Sequence, residues 1–306
     1  VEEHRLERGT GGGEQPGREA QGLGALVEGG QAEVGPRLEP VAAVGGDHLA
    51  GIGQLRRQRG RLGGGREAAL LLARQAGEPL LALAPRLRVV ANCAVGTDNV
   101  DLEACRRRGV VVTNTPGVLT AATADLAWLL ILAVTRRFRE GDEVVRSGTW
   151  SGWKPLELLG TSLEGKTLGV YGMGRIGSAV ARRAEAFGMR VIGVVAGDPP
   201  EAFERLLAES DVVSIHVPLT PATRGRFGAA ELARMRPGAI LINTARGPVV
   251  DEAALAEALV SGHLGGAGLD VFEKEPEVHP ALLPLPNVVL LPHLGSATRE
   301  TRLAMA

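Results

Sequence analysis

Leu168-Gly169-Val170-Tyr171-Gly172-Met173-Gly174-Arg175-Ile176-Gly177-Ser178 is the stretch that decides the fold. Leu168–Tyr171 is a compact hydrophobic run that reads as a buried strand, and the residues after the turn predict a helix over Ser178–Phe187. Gly172, Gly174 and Gly177 stand between them at GxGxxG spacing. In a chain with 43 glycines such a triplet says little by itself. Between a strand and a helix it brings backbone N–H groups and the positive end of the helix dipole to one point, the setting that binds a pyrophosphate. Gly172 permits the turn, Gly174 permits close approach and Gly177 lets helix and strand pack. Arg175 and Ile176, at the helix start, join them as cofactor-binding candidates. The implied ligand is a dinucleotide.

Working outward, strands and helices alternate on both sides of this loop. Ala68–Ala73 reads as a strand, Pro79–Ala84 as a short helix, Arg88–Cys93 as a strand, Leu102–Arg108 as a helix and Val110–Thr113 as a strand. Thr120 reads as the cap of a long helix running through about Arg146, followed by a loop with two tryptophans. Strands at Val191–Val195, Val212–Val217, Ala239–Asn243, Gly268–Val271 and Val288–Leu291 continue the pattern. The fold class is α/β, with a doubly wound parallel (Rossmann) sheet. The acidic residue that holds an adenosine ribose belongs at the end of the second strand, where Val195 stands; Asp198 can fill that role or simply begin the turn before Pro199-Pro200. No Arg or Lys stands there to neutralise a 2′-phosphate, so the reading leans to NAD over NADP. Only 14 residues separate Val195 from Ser210, too few for a further strand beneath the adenosine.

A length of 306 residues predicts two domains. With 34 basic and 35 acidic residues the net charge is −1, which offers no sequence-wide field for nucleic acid or an anionic membrane and favours a small-molecule substrate. Two cysteines, Cys93 and Cys105, make no disulfide framework or four-cysteine zinc site, and none of the six histidines has metal-ligand spacing, so no metal is expected. Apolar runs such as Leu126–Val134 are too short to cross a bilayer, and the amino terminus has no signal-peptide core; the expected location is the cytoplasm. Residues 1–66 hold 18 of the 43 glycines, no aromatic residue and one isoleucine, with neither strand alternation nor an apolar helical stripe. They read as an atypical segment, disordered or mis-specified.

Five motifs stand in order beyond it: Gly172–Gly177, His216-Val217-Pro218-Leu219-Thr220-Pro221, Asn243-Thr244-Ala245-Arg246-Gly247, Gly268-Leu269-Asp270-Val271-Phe272 and Pro292-His293-Leu294-Gly295-Ser296. From about Ala68 to Ala306 the chain resembles the D-isomer-specific 2-hydroxyacid dehydrogenases. It is most similar to the glyoxylate and hydroxypyruvate reductases, whose tryptophan loop resembles Trp150-Ser151-Gly152-Trp153-Lys154-Pro155. The resemblance implies a Rossmann cofactor domain (99–286) inserted into a smaller flavodoxin-like substrate domain (67–98 and 287–306).

It also implies roles. Arg246 would hold the substrate carboxylate and keto oxygens, His293 would be the general acid, and Glu275 would orient and charge that imidazole. Val95 and Gly96 would offer backbone N–H groups to the substrate carboxylate. The cofactor, NAD or NADP, would be lined by Val217, Pro218, Thr223, Thr244, Ala245 and Gly295, with Asp270 on the nicotinamide amide or, in the competing reading, a strand-end turn aspartate. Trp150 would border the substrate pocket of a partner subunit in a homodimer. His216 reads as structural or ribose-adjacent. The implied activity is hydride transfer between NAD(P)H and a small 2-keto acid to give the D-2-hydroxy acid. Two alternatives accompany it: a dinucleotide-binding corepressor that keeps the same residues, and a defective, frameshifted or truncated family member, since residues 1–66 match no strand-helix-strand opening and the chain ends inside a helix.

Overall fold

The computed structural model of the protein describes residues 61–62, 66–71 and 76–306, so the expectation for residues 1–66 lies almost wholly outside the described residues. Strands β1 (Arg61–Leu62), β2 (Arg66–Leu71), β3 (Leu87–Asn92) and β4 (Val111–Thr113) form one sheet in that order, antiparallel at β1-β2 and parallel beyond. Helices α1 (Glu78–Leu83) and α2 (Leu102–Arg107) supply Leu81, Ala104 and Cys105 to a small core with Leu87, Val90 and Val110. Asp101 caps α2 by accepting from the Ala104 N–H at 2.8 Å.

The second sheet is wholly parallel. Strands β5 (Thr167–Tyr171), β6 (Arg190–Val194), β7 (Val212–Ile215), β8 (Ile240–Asn243), β9 (Gly266–Leu269) and β10 (Val288–Leu290) run in the order β10-β9-β8-β7-β5-β6. The strand order reverses at β5, and at such a switch point crossover helices leave on opposite faces and open a crevice at the carboxyl ends. Period-2 alternation fills both faces. Leu168, Val170, Val212, Ile240 and Ile242 pack with α3 (Thr120–Thr135) and α5 (Arg175–Ala184). Val213, Ile215, Leu241 and Leu269 pack on the other side with α6 (Pro200–Glu209), α7 (Ala229–Arg234) and α8 (Glu252–Val260). Leu168, Ile215, Leu241 and Ile242 are fully buried. At about 1.5–3 kcal/mol for each such side chain, this core is what fixes the crevice.

Three expectations change. The helix expected from Thr120 to about Arg146 is two helices, α3 and α4 (Phe138–Arg146). Arg137 between them adopts a left-handed φ of 51° and pairs with Glu140 at 2.8 and 2.6 Å, while the Thr161 N–H closes on the Thr135 carbonyl at 2.8 Å. Thr120 is not the cap: Leu119 occupies that position, with no side-chain cap. The boundaries expected near residues 98 and 287 do not fall between the sheets, because β4 pairs with β3 while β10 pairs with β9. The short connection after Val195, in contrast, behaves as expected: α6 occupies it, and β6 is a sheet edge among the described residues. The last helix, α9 (Arg299–Met305), is capped by Thr298 and buries Thr301 and Met305.

Candidate active site

The phosphate loop sits at the switch point between β5 and α5. Gly172 has φ +103°, and a Cβ there would lie 2.7 Å from the carbonyl carbon and oxygen of His216, so the turn requires glycine both for its conformation and for its crossing of the β7 end. The Gly172 N–H donates to the Val194 carbonyl at 2.9 Å, which ties the loop to β6. A Cβ on Gly177 would run into the Gly172 carbonyl, whereas Gly174 faces open space. No side chain caps the N-terminus of α5. An uncapped ten-residue helix behind an open glycine cradle fits a pyrophosphate.

At the end of β8, Asn243 shapes the turn that carries Arg246. Its buried amide donates to the Arg246 carbonyl at 2.9 Å and accepts from the Ala245 N–H at 3.0 Å. A Cβ on Gly247 would collide with the Phe272–Glu273 peptide, so that peptide lies directly on the turn. The Arg246 guanidinium reaches across to the first sheet. Its Nε donates to Asp98 Oδ1 and Oδ2 at 2.9 and 3.1 Å, Nη1 donates to the Ala245 carbonyl at 2.8 Å, and Nη2 lies against Gly96, where any Cβ would overlap it. Loop 93–99 is itself held in place. Asn92 donates to the Gly96 carbonyl at 2.8 Å, Asn99 donates to Asn92 at 3.1 Å, and Asn114 donates to the Val95 carbonyl at 2.9 Å. Those bonds use carbonyls, and among the described residues the N–H groups of Val95 and Gly96 have no protein acceptor.

His293 and Glu275 meet beside Arg246. His293 Nδ1 lies 3.0 Å from Glu275 Oε2, and Glu275 Oε1 accepts from the Phe272 N–H at 3.2 Å. The Glu275 hydrogen bond and charge, helped by the charge of Asp270, raise the His293 pKa above its ordinary value against burial and Arg246. Burial would push the Glu275 carboxyl up, but the His293 bond and charge, the Phe272 N–H and Arg246 together bring it below its ordinary value. His293 has φ +55°, uncommon for a residue with a side chain. Asp270 holds that turn. Its carbonyl accepts from the His293 N–H at 2.9 Å, Oδ1 from the Leu294 N–H at 2.6 Å and Oδ2 from the Gly295 N–H at 2.8 Å. From α3, Thr123 adds a bond to the Gly295 carbonyl at 2.9 Å. Three backbone N–H groups on one residue over-determine a strained turn.

The remaining expected residues are distributed unevenly. Asp270 is fully buried with each carboxylate oxygen on a backbone N–H, which matches the turn reading; burial raises its carboxyl above the ordinary value despite those N–H groups and His293. Asp198 turns one oxygen back to the Val195 N–H at 2.8 Å, again as a turn residue, although it stays exposed at the β6 end. Thr223 Oγ1 accepts from the Thr220 N–H at 2.8 Å and donates to the Pro218 carbonyl at 2.7 Å, so it shapes the loop after β7. Val217 packs at Gly172 in the same loop. Thr244 is buried with an unpaired hydroxyl, and Ala245 and Gly295 flank Arg246 and His293. His216 Nε2 pairs with Ser214 Oγ at 2.8 Å, and burial lowers its pKa to about 4, which keeps it neutral and structural. Trp150 lies on the surface, 60% exposed. Asp98, Asn92, Asn114 and Thr123 were not anticipated; the only local signal was the polar Gly96-Thr97-Asp98-Asn99 turn.

Comparison with known proteins agrees with this geometry. Residues 128–295 match the family model described as D-isomer specific 2-hydroxyacid dehydrogenase, NAD binding domain. The chain is 53% identical over 250 residues to a glyoxylate reductase of Thermococcus litoralis, covering 77% of this chain and 76% of that one. A crystal structure of a Thermus thermophilus protein superposes with a TM-score of 0.77 at 50% identity, covering 85% and 84% of the two chains. That of an NADPH-dependent glyoxylate/hydroxypyruvate reductase from Sinorhizobium meliloti, in complex with NADP and malonate, gives 0.71 at 42% identity over 78% and 76%. With a nicotinamide-dinucleotide loop at the switch point and an arginine facing a carboxylate-paired histidine, the chain belongs to the D-isomer-specific 2-hydroxyacid dehydrogenases and is an NAD(P)-dependent oxidoreductase.

Proposed function

We propose that this protein reduces glyoxylate and hydroxypyruvate to the corresponding 2-hydroxy acids, with D stereochemistry where the product is chiral. The observation that carries this reading is the 3.0 Å His293–Glu275 pair beside Arg246, in a chain half identical to glyoxylate reductases. The Val95 and Gly96 N–H groups and the Nη2 edge of Arg246 hold the substrate carboxylate and polarise its keto oxygen. Glu275 holds Nδ1 of the imidazole, so Nε2 faces the substrate and gives its proton to that oxygen. Gly172–Gly177 would hold the nicotinamide cofactor, with Thr244, Ala245 and Gly295 as the residues that would line its ring, and the chemistry it would supply there is hydride transfer. The 99–286 region, apart from β4, together with β10 forms the cofactor domain, and the β1–β4 sheet the substrate domain.

The proton must be on His293 for reduction and off it for oxidation. Because Glu275 raises the His293 pKa, kcat/KM for glyoxylate is highest below that raised value and falls as pH rises through it, while oxidation of the hydroxy acid rises over the same interval. In Glu275→Gln the descending limb moves to lower pH. Rate profiles for both proteins from pH 5 to 10 test this; coincident limbs would contradict it.

Cofactor and assembly complete the proposal. NAD preference over NADP rests on exposed Asp198 and on the lack of Arg or Lys between Val195 and Pro200. A homodimer is supported by Trp150, Trp153, Leu156 and Leu159, all at least 60% exposed within one loop, since clustered exposed apolar side chains mark interaction surfaces. Sedimentation should give twice the chain mass, and Trp153→Glu should give the monomer; a wild-type monomer would refute the dimer. A cytoplasmic location is supported by two unpaired cysteines and by the reduced cofactor the reaction consumes. No helix among the described residues is long and apolar enough to cross a membrane.

A further inference from the structure

Glu252 is the first residue of α8 and is 5% exposed. No cation pairs with it among the described residues. A buried carboxylate without a counter-ion is costly unless its oxygens accept hydrogen bonds. Here both do: Oε1 accepts from the Glu273 N–H, and Oε2 from the His279 N–H at 2.9 Å. The helix N-terminus further favours the negative charge.

Those two N–H groups bracket Glu275. Between them the chain makes a tight turn, closed by the Glu277 N–H on the Lys274 carbonyl at 3.0 Å, and Glu275 projects from that turn to His293. At the other end of the same short segment stands Arg246. The Gly247–Val249 turn is fixed by the Val250 N–H on Gly247 at 3.0 Å and the Val249 N–H on Arg246 at 3.2 Å, and it leads directly into Asp251 and Glu252. Gly247 also lies against the Phe272–Glu273 peptide, the peptide whose N–H Glu252 accepts. Thus one carboxylate joins the segment that carries Arg246 to the loop that carries Glu275.

We propose that Glu252 is a positioning residue for the reaction: it clamps the 273–279 loop so that Glu275 meets His293 at hydrogen-bond distance and aims the imidazole, in register with Arg246. The inference rests on the reading of Arg246, Glu275 and His293 given above. The charged groups facing His293 are Glu275, Asp270 and Arg246. Of these only Glu275 sits on a loop that Glu252 holds.

Glu252→Gln tests it, because glutamine keeps one acceptor and turns an NH2 group toward the other N–H. A reactive group displaced by about 1 Å loses on the order of 10²-fold in rate, and we expect kcat to fall by about 10-fold to 10²-fold with a smaller change in KM. The descending limb of the pH profile should move to lower pH. Glu252→Asp, with both acceptors one methylene shorter, should fall between the two. The His293 ring resonance, assigned by its absence in His293→Asn, should titrate at lower pH in both variants than in the wild type, a readout that does not require turnover. A lower melting temperature with unchanged kcat, pH profile and His293 titration would overturn the proposal and leave Glu252 a purely structural residue. Should Glu252→Gln not fold, Glu252→Asp decides by the same titration. A wild-type protein without turnover but with a Glu252-dependent titration would overturn the activity and not the clamp.

Discussion

Replacing His293 with alanine should lower kcat for glyoxylate reduction by about 10²–10⁴-fold, the range a positioned general acid contributes. The His293 imidazole is the group here that can deliver a proton to a keto oxygen near neutrality while a hydride arrives at carbon. Arg246 is committed to Asp98 and the Ala245 carbonyl, Glu275 is held below its ordinary value, and Asp270 has both oxygens on backbone N–H groups. The residual rate should lose the descending limb that His293 gives the wild type. Because the side chain is half exposed, its removal leaves no sealed cavity, and Asp270 still holds the 293–295 turn through backbone N–H groups. NADH binding and the melting temperature should therefore change little. Steady-state kinetics with a thermal melt on the same preparation checks this, and a variant with wild-type kcat would remove His293 from the mechanism.

Arg246→Ala should cost kcat/KM about 10²–10³-fold, comparable to removing a preorganised donor from a developing oxyanion, with a raised KM for the keto acid. The loss is both of charge and of direction. Asp98 takes Nε, the Ala245 carbonyl takes one proton of Nη1, and the outer edge of the fork is left beside Gly96 and the loop N–H groups. Lysine keeps the charge but is a point donor without a fork, so it cannot hold Asp98 and still present two parallel N–H groups. Arg246→Lys should recover less than tenfold of the loss. Full recovery would mean that Arg246 acts by charge alone and that the Asp98 geometry is incidental. The cofactor Kd, read by NADH fluorescence, separates this from damage to the dinucleotide loop, which lies on a different strand.

What could be read in advance, and what could not, follows from range along the chain. The β5-loop-α5 unit is encoded within a dozen residues, since hydrophobic runs, glycine conformation and the helix start are all local. Arg246, Glu275 and His293 stood out only through the motifs around them, and the structure brings all three together. Asp98 and Glu252 were not legible, because each is an ordinary polar residue whose partner lies far away: Asp98 meets Arg246 at a separation of 148, and Glu252 meets Glu273 and His279 at 21 and 27. Short strands failed for a related reason. Val111–Thr113 and Val288–Leu290 have three residues each, too few to specify which sheet they join, so boundaries expected near residues 98 and 287 precede both strands, whereas β4 stays with β3 and β10 with β9. The break between α3 and α4 depends on Arg137 and on the return of residue 161, neither of which interrupts the apolar pattern. Asp270 carried two readings, the nicotinamide-amide partner that the resemblance implies and a strand-end turn aspartate, and its bonds to the N–H groups of Leu294 and Gly295 arise from a contact 24 and 25 residues away that no local pattern signals.

The most direct test of the central claim, that Arg246, Glu275 and His293 reduce a small 2-keto acid, is oxidation of NADH and NADPH by the purified wild-type protein, with glyoxylate and hydroxypyruvate as acceptors. Chiral analysis of the hydroxypyruvate product completes it. The site residues together with the family membership predict acceptor-dependent turnover, faster with NADH than with NADPH, and D-glycerate as the product. A folded protein whose melting temperature rises with NADH but which turns over neither acid, or which yields the L-isomer, would contradict it.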